Sequence, residues 1–351
     1  MAVRFRIGVL PGDGIGAEVM PEALKVLAAV EARLDGVRFE FEPFSAGAGE
    51  YLRSGDPLPA ATLARLRERD AILLGAMGLP DVRWPNGTEM TPQLDLREQL
   101  DLYLGLRPVR LYHPRDTPLA AAGEIDILIV RENTEGLFFA RHASTREDDD
   151  EVRDVMRVSR HASERLFRAA FSEARRRRGL VTLVDKSNVL PSMAFFRQVF
   201  DRIAGEFPGV RAERIYVDAA ALYLVRSPRR FDVMVTENMF GDILSDLAAG
   251  LVGGMGMAPS ADVGDRHGVF QPSHGSAPDI AGRGVANPTA MILSAAMMLD
   301  WLGHEETRRG AAMIEQAVRE VYTSSTERTG DLGGTLSTAE MGDRVAGLVV
   351  R

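Results

Sequence analysis

The sequence has no cysteine among its 351 residues, which excludes disulfides, thiolate metal sites and cysteine nucleophiles. It also has no apolar run long enough for a membrane helix, and no signal peptide is recognisable at its N-terminus. Positive charge is not in excess: the net charge is −8, so an anion-binding protein of this kind must concentrate its arginines locally. These absences favour a cytoplasmic protein with neither nucleic acid nor a membrane as partner.

The chain alternates short apolar strands with helical segments, which predicts an α/β protein with βα units and a largely parallel sheet. Its length allows two domains or one large α/β unit. The basic run 175–178 is interpreted as the C-terminus of a long helix, where positive charge complements the helix dipole. Ranges that bear on function are the predicted strands 125–131, 180–185, 214–218 and 231–236, the predicted helices 154–178 and 242–251, and the Gly-rich region 258–284, which predicts irregular loops.

Two aspartates in the segment 231–246 (FDVMVTENMFGDILSD) suggest a metal site. Asp242 and Asp246 are four residues apart, so a helix places both carboxylates on one face. Carboxylate oxygens are the ligands that a hard divalent cation prefers, and such a cation relieves the repulsion between them. An isolated Asp pair is more often a solvated helix face. The apolar run 247–252 indicates a largely buried helix and favours the metal site.

Three arginines and a lysine lie near predicted strand ends, where α/β sheets bind ligands. Arg97 begins a turn or helix, Arg107 begins a strand and Arg131 ends one. Guanidinium groups bind carboxylates through paired hydrogen bonds, so three converging arginines suit a di- or tricarboxylate, although each alone is more often a surface residue. Lys186 ends a further strand and is either a base or the ion-pair partner of Asp185.

The segment 10–19 (LPGDGIGAEV) follows the first strand and imitates a dinucleotide-binding fingerprint, but its third glycine comes one residue early. We interpret it as a tight strand-to-helix turn that lines a cleft. Asp218, at the predicted end of the strand 214–218, is a possible additional metal ligand.

Six motifs in order resemble the β-decarboxylating dehydrogenases, which include isopropylmalate, isocitrate, homoisocitrate and tartrate/D-malate dehydrogenases. The resemblance extends from Ile7 to Met298. The motifs are LPGDGIG (10–16), LDLYLGLRP (100–108), RENTEG (131–136), DKSNVL (185–190), TENMFGDILSD (236–246) and HGSAPDIAG (274–282).

The resemblance implies a doubly wound mixed sheet that is not a Rossmann fold, in two domains. A discontinuous cofactor domain would comprise 1–100 with 252–351. The domain 101–251 would carry dimerisation, substrate and metal sites, with an intersubunit arm at about 141–158. Lys186 and Asp218 would reach into the active site of the neighbouring subunit, so the active unit would be a homodimer with shared active sites.

The resemblance also implies roles for single residues. Asp242 and Asp246, with Asp218 of the partner subunit, match the Mg²⁺ or Mn²⁺ ligands, and Asp218 is also matched to the catalytic group. Asp279 lies where an acid favours NAD over NADP, because a carboxylate repels a 2′-phosphate. The other matches are Lys186 as the catalytic lysine, Arg97, Arg107 and Arg131 as substrate-carboxylate ligands, and His274, Gly275, Asn287 and Asn188 as cofactor contacts.

The chain departs from the family pattern at two places. Phe138 occupies the position of a tyrosine that protonates the enol carbon, so water or His142 would have to replace it, or the last step would be slow or unnecessary. A regulatory paralogue without catalysis is the alternative. Thr91 and Gln93 resemble the polar pair that binds the third carboxylate of isocitrate more than an alkyl pocket, which disfavours isopropylmalate and keeps isocitrate-, homoisocitrate- and tartrate/malate-like acids open.

Overall fold

The computed structural model describes residues 2–120, 123–143, 145–146, 150–323 and 327–350. Its contacts divide the chain into two units, one of Met1–Leu100 with Gly253–Arg351 and one of Asp101–Val252. Of the helices in these ranges, none combines the length and the apolar character that crossing a bilayer requires.

Within the residues that the structure describes, twelve strands and twelve helices follow one another along the chain. The strands are β1 Val3–Gly12, β2 Val37–Pro43, β3 Ala71–Ala76, β4 Leu104–Arg110, β5 Asp126–Glu132, β6 Thr145–Arg146, β7 Val152–Arg153, β8 Leu180–Asp185, β9 Arg211–Tyr216, β10 Val233–Thr236, β11 Pro259–Val263 and β12 Gly268–Pro272. The helices are α1 Gly16–Glu31, α2 Ala48–Ser54, α3 Ala60–Leu66, α4 Pro92–Gln99, α5 Ala140–Ala143, α6 Arg160–Arg175, α7 Pro191–Ala204, α8 Val217–Arg226, α9 Asn238–Gly250, α10 Thr289–Trp301, α11 Glu305–Thr323 and α12 Thr338–Val349.

The first unit contributes five strands in the order β2-β1-β3-β12-β11. Strands β1, β2, β3 and β12 run parallel, and β11 pairs antiparallel with β12. Every residue of β3 is buried, which is the pattern of a strand covered on both faces. Irregular loops were predicted over 258–284. This prediction is wrong for 259–272, because the short strands β11 and β12 lie there among turn-forming residues.

The second unit contributes five strands in the order β4-β5-β10-β8-β9, with β4 antiparallel to β5 and the others parallel. The carboxyl ends of β5, β8 and β10 therefore share one edge, where Thr236 pairs with Arg131 and Val184. The amino ends share the opposite edge, where Arg110 of antiparallel β4 pairs with Asp126. The prediction of a mixed α/β fold is confirmed.

The core of the second unit packs α8 and α9 against this sheet. Leu244 and Ala248 of α9 are buried with Phe231 and Met234. Full burial of side chains of this size stabilises the fold by about 1.5–3 kcal/mol each. The apolar face of α9 thereby fixes the opposite, acidic face that carries Asp242 and Asp246.

Three predicted boundaries near the site are wrong. Helix α6 begins at Arg160 rather than at 154, because the Ser159 hydroxyl accepts the N–H of Ala162 and caps it there. Helix α9 begins at Asn238 rather than at 242, because the Glu237 carboxylate accepts two N–H groups of its first turn. Asp218 lies in the first turn of α8 and not at a strand end, since β9 stops at Tyr216.

The predicted arm region contains a two-stranded antiparallel ribbon in which Thr145 pairs with Arg153. Val152 at the second strand is 64% exposed, so this strand has an uncovered apolar side chain. Residues 144 and 147–149 of the predicted arm lie outside the described residues. Its role between subunits stays a prediction.

Candidate active site

Arg131 is the centre of the polar cluster in the second unit. It lies next to the last residue of β5 and is only 2% exposed. Its Nε and Nη2 donate to Asn238 Oδ1 at 3.0 and 2.7 Å, and its Nη1 forms an ion pair with Asp242 Oδ1. Gly241 permits this approach, because a Cβ there would lie 2.7 Å from Cγ of Arg131. Helix α9 thus packs directly on the arginine.

Asp242 and Asp246 lie one turn apart on α9, as the sequence predicts. Burial, and then the charge of Asp242, raises the pKa of Asp246, while the nearby Arg131 and Arg107 act in the opposite direction. Arg107, on β4 and 4% exposed, therefore lies close enough to act on the same acid pair. Two of the three predicted substrate arginines thus accompany the two predicted metal ligands.

Lys186 and Asp218 form an ion pair with Nζ and Oδ2 3.1 Å apart. The hydrogen bond from Lys186 lowers the pKa of Asp218, whose side chain is 68% exposed. The alternative partner for the lysine, Asp185, instead binds Arg197 with both carboxylate oxygens. Within the ranges that the structure describes, no three His, Asp or Glu side chains come together as a metal site. The contribution of Asp218 from a partner subunit stays a prediction.

Arg97 belongs to the first unit and lies in the last turn of α4, not at a helix start. Its Nε donates to Asp262 Oδ2 at 2.9 Å, and Gln271 Nε2 donates to the same oxygen at 2.7 Å. The three side chains are at most 8% exposed. Asp262 and Gln271 were not predicted as site residues, because both lie in the region predicted as loops.

The predicted specificity residues flank the start of α4. Thr91 precedes the helix, and its side chain makes no capping hydrogen bond. Oε1 of Gln93 is buried and has no hydrogen-bond partner within the described part of the chain. A buried acceptor of this kind is costly unless a ligand or water donates to it, which fits a polar substrate group.

The predicted cofactor loop of the first unit begins at His274. Nδ1 of His274 lies 2.9 Å from the carbonyl oxygen of Gly275 and donates to it, since a carbonyl only accepts. Burial lowers the pKa of His274, so the ring is neutral and its Nε2 is an acceptor. That Nε2 is buried, and no described residue donates to it. An orphaned acceptor fits a hydroxyl such as that of a ribose. Asp279 follows on the exposed part of the loop.

Asn287 is less accessible than the other predicted cofactor contacts. It is 6% exposed, its Nδ2 donates to Asp331 at 3.2 Å, and its Oδ1 accepts the N–H of Thr289 at 3.0 Å. The amide thus supports the start of α10 from within the first unit. Asn188 belongs to the second unit, where it is exposed in the turn after β8.

Phe138 packs against the arginine cluster. It lies in a turn of 3₁₀ helix over Leu137–Phe139 that follows Gly136, whose φ is +74°. The guanidinium carbon of Arg131 is 5.3 Å from the centre of the Phe138 ring, a cation–π contact. The ring has no proton to donate. The side chain of His142, a possible substitute, lies outside the described residues.

Glu132 is a buried acid that the sequence analysis did not single out. Its carboxylate accepts the N–H and hydroxyl of Thr134 and the N–H of Glu135. Burial nevertheless raises its pKa to about 7. The polar run after β5 could have indicated Glu132, because a polar side chain beside a turn can accept the backbone N–H groups of that turn.

Comparisons with known proteins agree on one group. A family model described as isocitrate/isopropylmalate dehydrogenase matches residues 6–345. A 3-isopropylmalate dehydrogenase of Corynebacterium aurimucosum is 44% identical over 348 residues, which are 97% of this chain and 98% of the relative. A 3-isopropylmalate/3-methylmalate dehydrogenase of Methanocaldococcus jannaschii is also 44% identical, with the same coverage. The crystal structure of isocitrate dehydrogenase from Methylococcus capsulatus matches with a TM-score of 0.90 and 38% identity, over 99% of this chain and 100% of that one.

The similarity to named dehydrogenases, together with the mixed α/β fold, makes this protein a dehydrogenase. The chain belongs to the isocitrate/isopropylmalate dehydrogenase family. The predicted family, fold class and enzyme class are confirmed. The relatives are named as dehydrogenases, so the comparisons give no support to the alternative of a regulatory paralogue.

Proposed function

We propose that this enzyme oxidises a 2-hydroxy di- or tricarboxylic acid with NAD and Mg²⁺ or Mn²⁺, and that it decarboxylates the oxidised product. The observation that carries the proposal is the grouping of Arg107 and Arg131 with the acid pair Asp242 and Asp246. Arginines bind carboxylates, and paired acids bind hard cations. A hydroxy acid that is chelated to a divalent cation needs arginines for its carboxylates and paired acids for the cation at one place.

The residues fit a divalent cation. Asp242 and Asp246 supply oxygen ligands on one helix face, and burial, followed by the charge of Asp242, raises the pKa of Asp246. Asp218 of the partner subunit would complete the set. When bound, the cation supplies Lewis acidity at the substrate hydroxyl and carbonyl oxygens, and NAD supplies the hydride acceptor.

The side chains of this chain bind the substrate and move protons. Arg107 and Arg131, with Arg97 from the first unit, bind the substrate carboxylates. The partner subunit's Lys186, which enters the site together with the partner subunit's Asp218, accepts the proton of the hydroxyl as a neutral amine, directly or through water. Phe138 cannot return a proton to the substrate carbon, so water performs the last protonation.

NAD is favoured over NADP by the loop that begins at His274. The exposed carboxylate of Asp279 would accept hydrogen bonds from ribose hydroxyls and would repel a 2′-phosphate. The unpartnered Nε2 of His274 is a further acceptor for a hydroxyl. Gly275 continues this loop, and Asn188 and Asn287 are the remaining proposed contacts.

The substrate pocket is proposed to be polar. The buried and unpartnered Oε1 of Gln93, beside Thr91, favours an acid that carries a hydrogen-bond donor at this position. Because relatives are named 3-isopropylmalate dehydrogenase and 3-isopropylmalate/3-methylmalate dehydrogenase, isopropylmalate and methylmalate are tested as well. The candidates are therefore isocitrate-, homoisocitrate-, isopropylmalate- and tartrate/D-malate-like acids.

The enzyme is proposed to act as a homodimer, in the cytoplasm. The second unit carries large exposed apolar side chains on α8, α9 and the turn after β8, which is typical of a surface that another subunit covers. Val189 is 64%, Leu222 53%, Val225 44% and Ile243 59% exposed. Asp218, at the start of α8, has a side chain exposed enough to reach a neighbour.

One experiment tests the proposal. The protein is incubated with Mn²⁺, NAD or NADP, and each of the candidate acids, and NADH and CO₂ are measured separately. We expect NADH with at least one acid, and a loss of roughly 100-fold or more in Asp242→Asn, because a neutral amide is a poor ligand for the cation. Asp300→Asn, at an exposed position on α10, is the matched control and should be unaffected. Failure of every acid with both cofactors would end the proposal.

A further inference from the structure

The amino-terminal edge of the sheet in the second unit contains two adjoining cavities that the proposed reaction does not use. Their volumes are about 610 and 340 Å³, and Arg178, Arg229 and Asp232 line both. A ligand pocket for a small molecule typically has 300–1,000 Å³. The basic run 175–178 at the end of α6 contributes to this lining. Its charge complements the helix dipole, but the dipole accounts for only part of the run.

These cavities lie at the opposite end of the strands from the candidate active site. Strand β8 begins in the larger cavity at Leu180 and ends at Asp185, immediately before Lys186. Six residues of a parallel strand span roughly 17 Å. Likewise, Asp232 in the cavities precedes β10, and Glu237 follows β10 at its other end. A ligand here would therefore be separate from the substrate and the cofactor.

The lining of the two cavities is strongly basic. It contains seven arginines and four carboxylates, an excess of three positive charges in a protein whose net charge is −8. Like charges held this close repel one another, and an anion between them relieves the repulsion. The local field is therefore opposite in sign to that of the whole molecule.

Some of the arginines are already used as structural braces. Asp232 is 1% exposed and accepts Nε of Arg177 at 2.9 Å. Asp126 accepts a second nitrogen of Arg177 at 2.7 Å and one of Arg110 at 3.2 Å. Nη2 of Arg178 donates to the backbone oxygen of Asp126 at 3.2 Å. These contacts fix the sheet edge and hold the guanidinium groups in place.

Arg229 has a different environment. It is exposed, it lines both cavities, and no ion pair involves it within the ranges that the structure describes. Glu213, the remaining acid of the larger cavity, is shared by Arg211 at 3.3 Å and Arg230 at 3.9 Å. The guanidinium carbon of Arg230 also lies 4.3 Å from the ring centre of Tyr223, which forms a flat wall.

We propose that this edge of the sheet binds a di- or triphosphate group, with Arg229 as the residue that joins the two cavities. Guanidinium forks bind phosphate oxygens in pairs, and the adjoining cavities provide room for linked phosphates. One phosphate monoester carries about −1.5 to −2 charges, so two or three linked phosphates match the local excess. The group belongs either to inorganic pyrophosphate or to a nucleotide, whose base would stack on Tyr223 and Arg230.

The test is calorimetric titration of the full chain, free of metal and NAD, with sodium pyrophosphate at constant ionic strength. We expect saturable binding at millimolar concentrations or below, reduced roughly tenfold or more in Arg229→Glu. Arg226→Glu is the matched control, since it makes the same charge change at an exposed position outside the lining and should bind as the parent does. No binding, or equal losses in the two variants, would overturn the proposal.

A parallel titration with ADP identifies the source of the phosphates. If the Arg229 substitution also weakens ADP, the ligand is a nucleotide, and if it weakens only pyrophosphate, the ligand is inorganic. ADP that binds elsewhere is unaffected by the substitution. The formation of NADH should be unchanged in Arg229→Glu without pyrophosphate, so a failure of this site is distinguishable from a failure of the proposed reaction.

Discussion

Replacing Gly241 with alanine should move Arg131 out of its place in the candidate active site. The new Cβ would lie 2.7 Å from Cγ and 2.8 Å from Cβ of Arg131, whereas ordinary contacts begin at 3.4 Å. Helix α9 and strand β5 must therefore separate by about 0.6–0.7 Å. The crowded atoms belong to the base of a buried side chain, so a simple rotation of its far end does not relieve them.

Two effects on stability oppose each other. Overpacking of this kind costs about 1–3 kcal/mol. Alanine in place of glycine within a helix stabilises it by about 1 kcal/mol. We therefore expect a net loss of no more than about 2 kcal/mol in the free energy of unfolding.

The effect on catalysis should be larger. A shift of α9 disturbs the charge-assisted hydrogen bonds of Arg131 with Asn238 and Asp242, and such bonds contribute about 1.5–3 kcal/mol each. A displaced Arg131 would also lose about one charge-assisted hydrogen bond to a substrate carboxylate, and a loss of this size in the transition state decreases kcat/KM roughly 10- to 150-fold.

Urea unfolding and steady-state formation of NADH measure the two effects separately. Gly250→Ala is the control, because Gly250 ends the same helix and a Cβ there meets no atom within 4 Å. This variant should keep its kcat/KM and should not be destabilised. If Gly241→Ala unfolds and turns over like Gly250→Ala, the close packing of α9 on Arg131 is not what positions the arginine.

Three further substitutions have distinct expected outcomes. Phe138→Tyr supplies a proton donor for the step after CO₂ is lost and should raise kcat for NADH formation; an unchanged kcat would exclude protonation as the slow step. Glu132 has a folded pKa of about 7 against a reference of 4.5, so the folded state holds an extra proton and stability falls as pH rises through that window. Between about pH 5.5 and 8 the free energy of unfolding in urea should fall by about 2 kcal/mol less in Glu132→Gln than in the parent. An equal fall in both proteins would show that Glu132 is not the titrating group. Asp13 lies in the turn between β1 and α1 and accepts three backbone N–H groups at 2.8 Å. Asp13→Asn should therefore lower the free energy of unfolding in urea by about 2–4 kcal/mol. A loss under about 1 kcal/mol would exclude Asp13 as the anchor of this turn.

The sequence was sufficient for those features of the site that depend on local spacing. The placement of Asp242 and Asp246 on one helix face follows from the four-residue interval, and Arg131 ends a strand because an apolar run stops there. The glycine-rich turn after β1 was also predicted as a turn, although the anchoring role of Asp13 was not.

The partners of the site residues could not be predicted in the same way. Asn238, which holds Arg131, is 107 residues away in sequence, and Asp262, which holds Arg97, is 165 residues away. Such pairs depend on how strands are ordered in the sheet, which spacing within one segment does not encode. The start of α9 was misplaced for a different reason, because its cap is a glutamate and not one of the usual capping residues.

On the proposed function, the pairing of Arg131 with Asp242 would couple the cation site to the substrate site of the second unit. All three guanidinium nitrogens of Arg131 bond to Asn238 or Asp242. On the proposed function, Asp242 would hold the cation, and the Arg131 nitrogen that pairs with Asp242 would then be available to a substrate carboxylate. The binding of each ligand should therefore tighten the binding of the other by the same factor, as thermodynamic reciprocity requires. Cation and acid would then assemble on the enzyme as one cooperative unit, with Arg131 as the shared counter-charge.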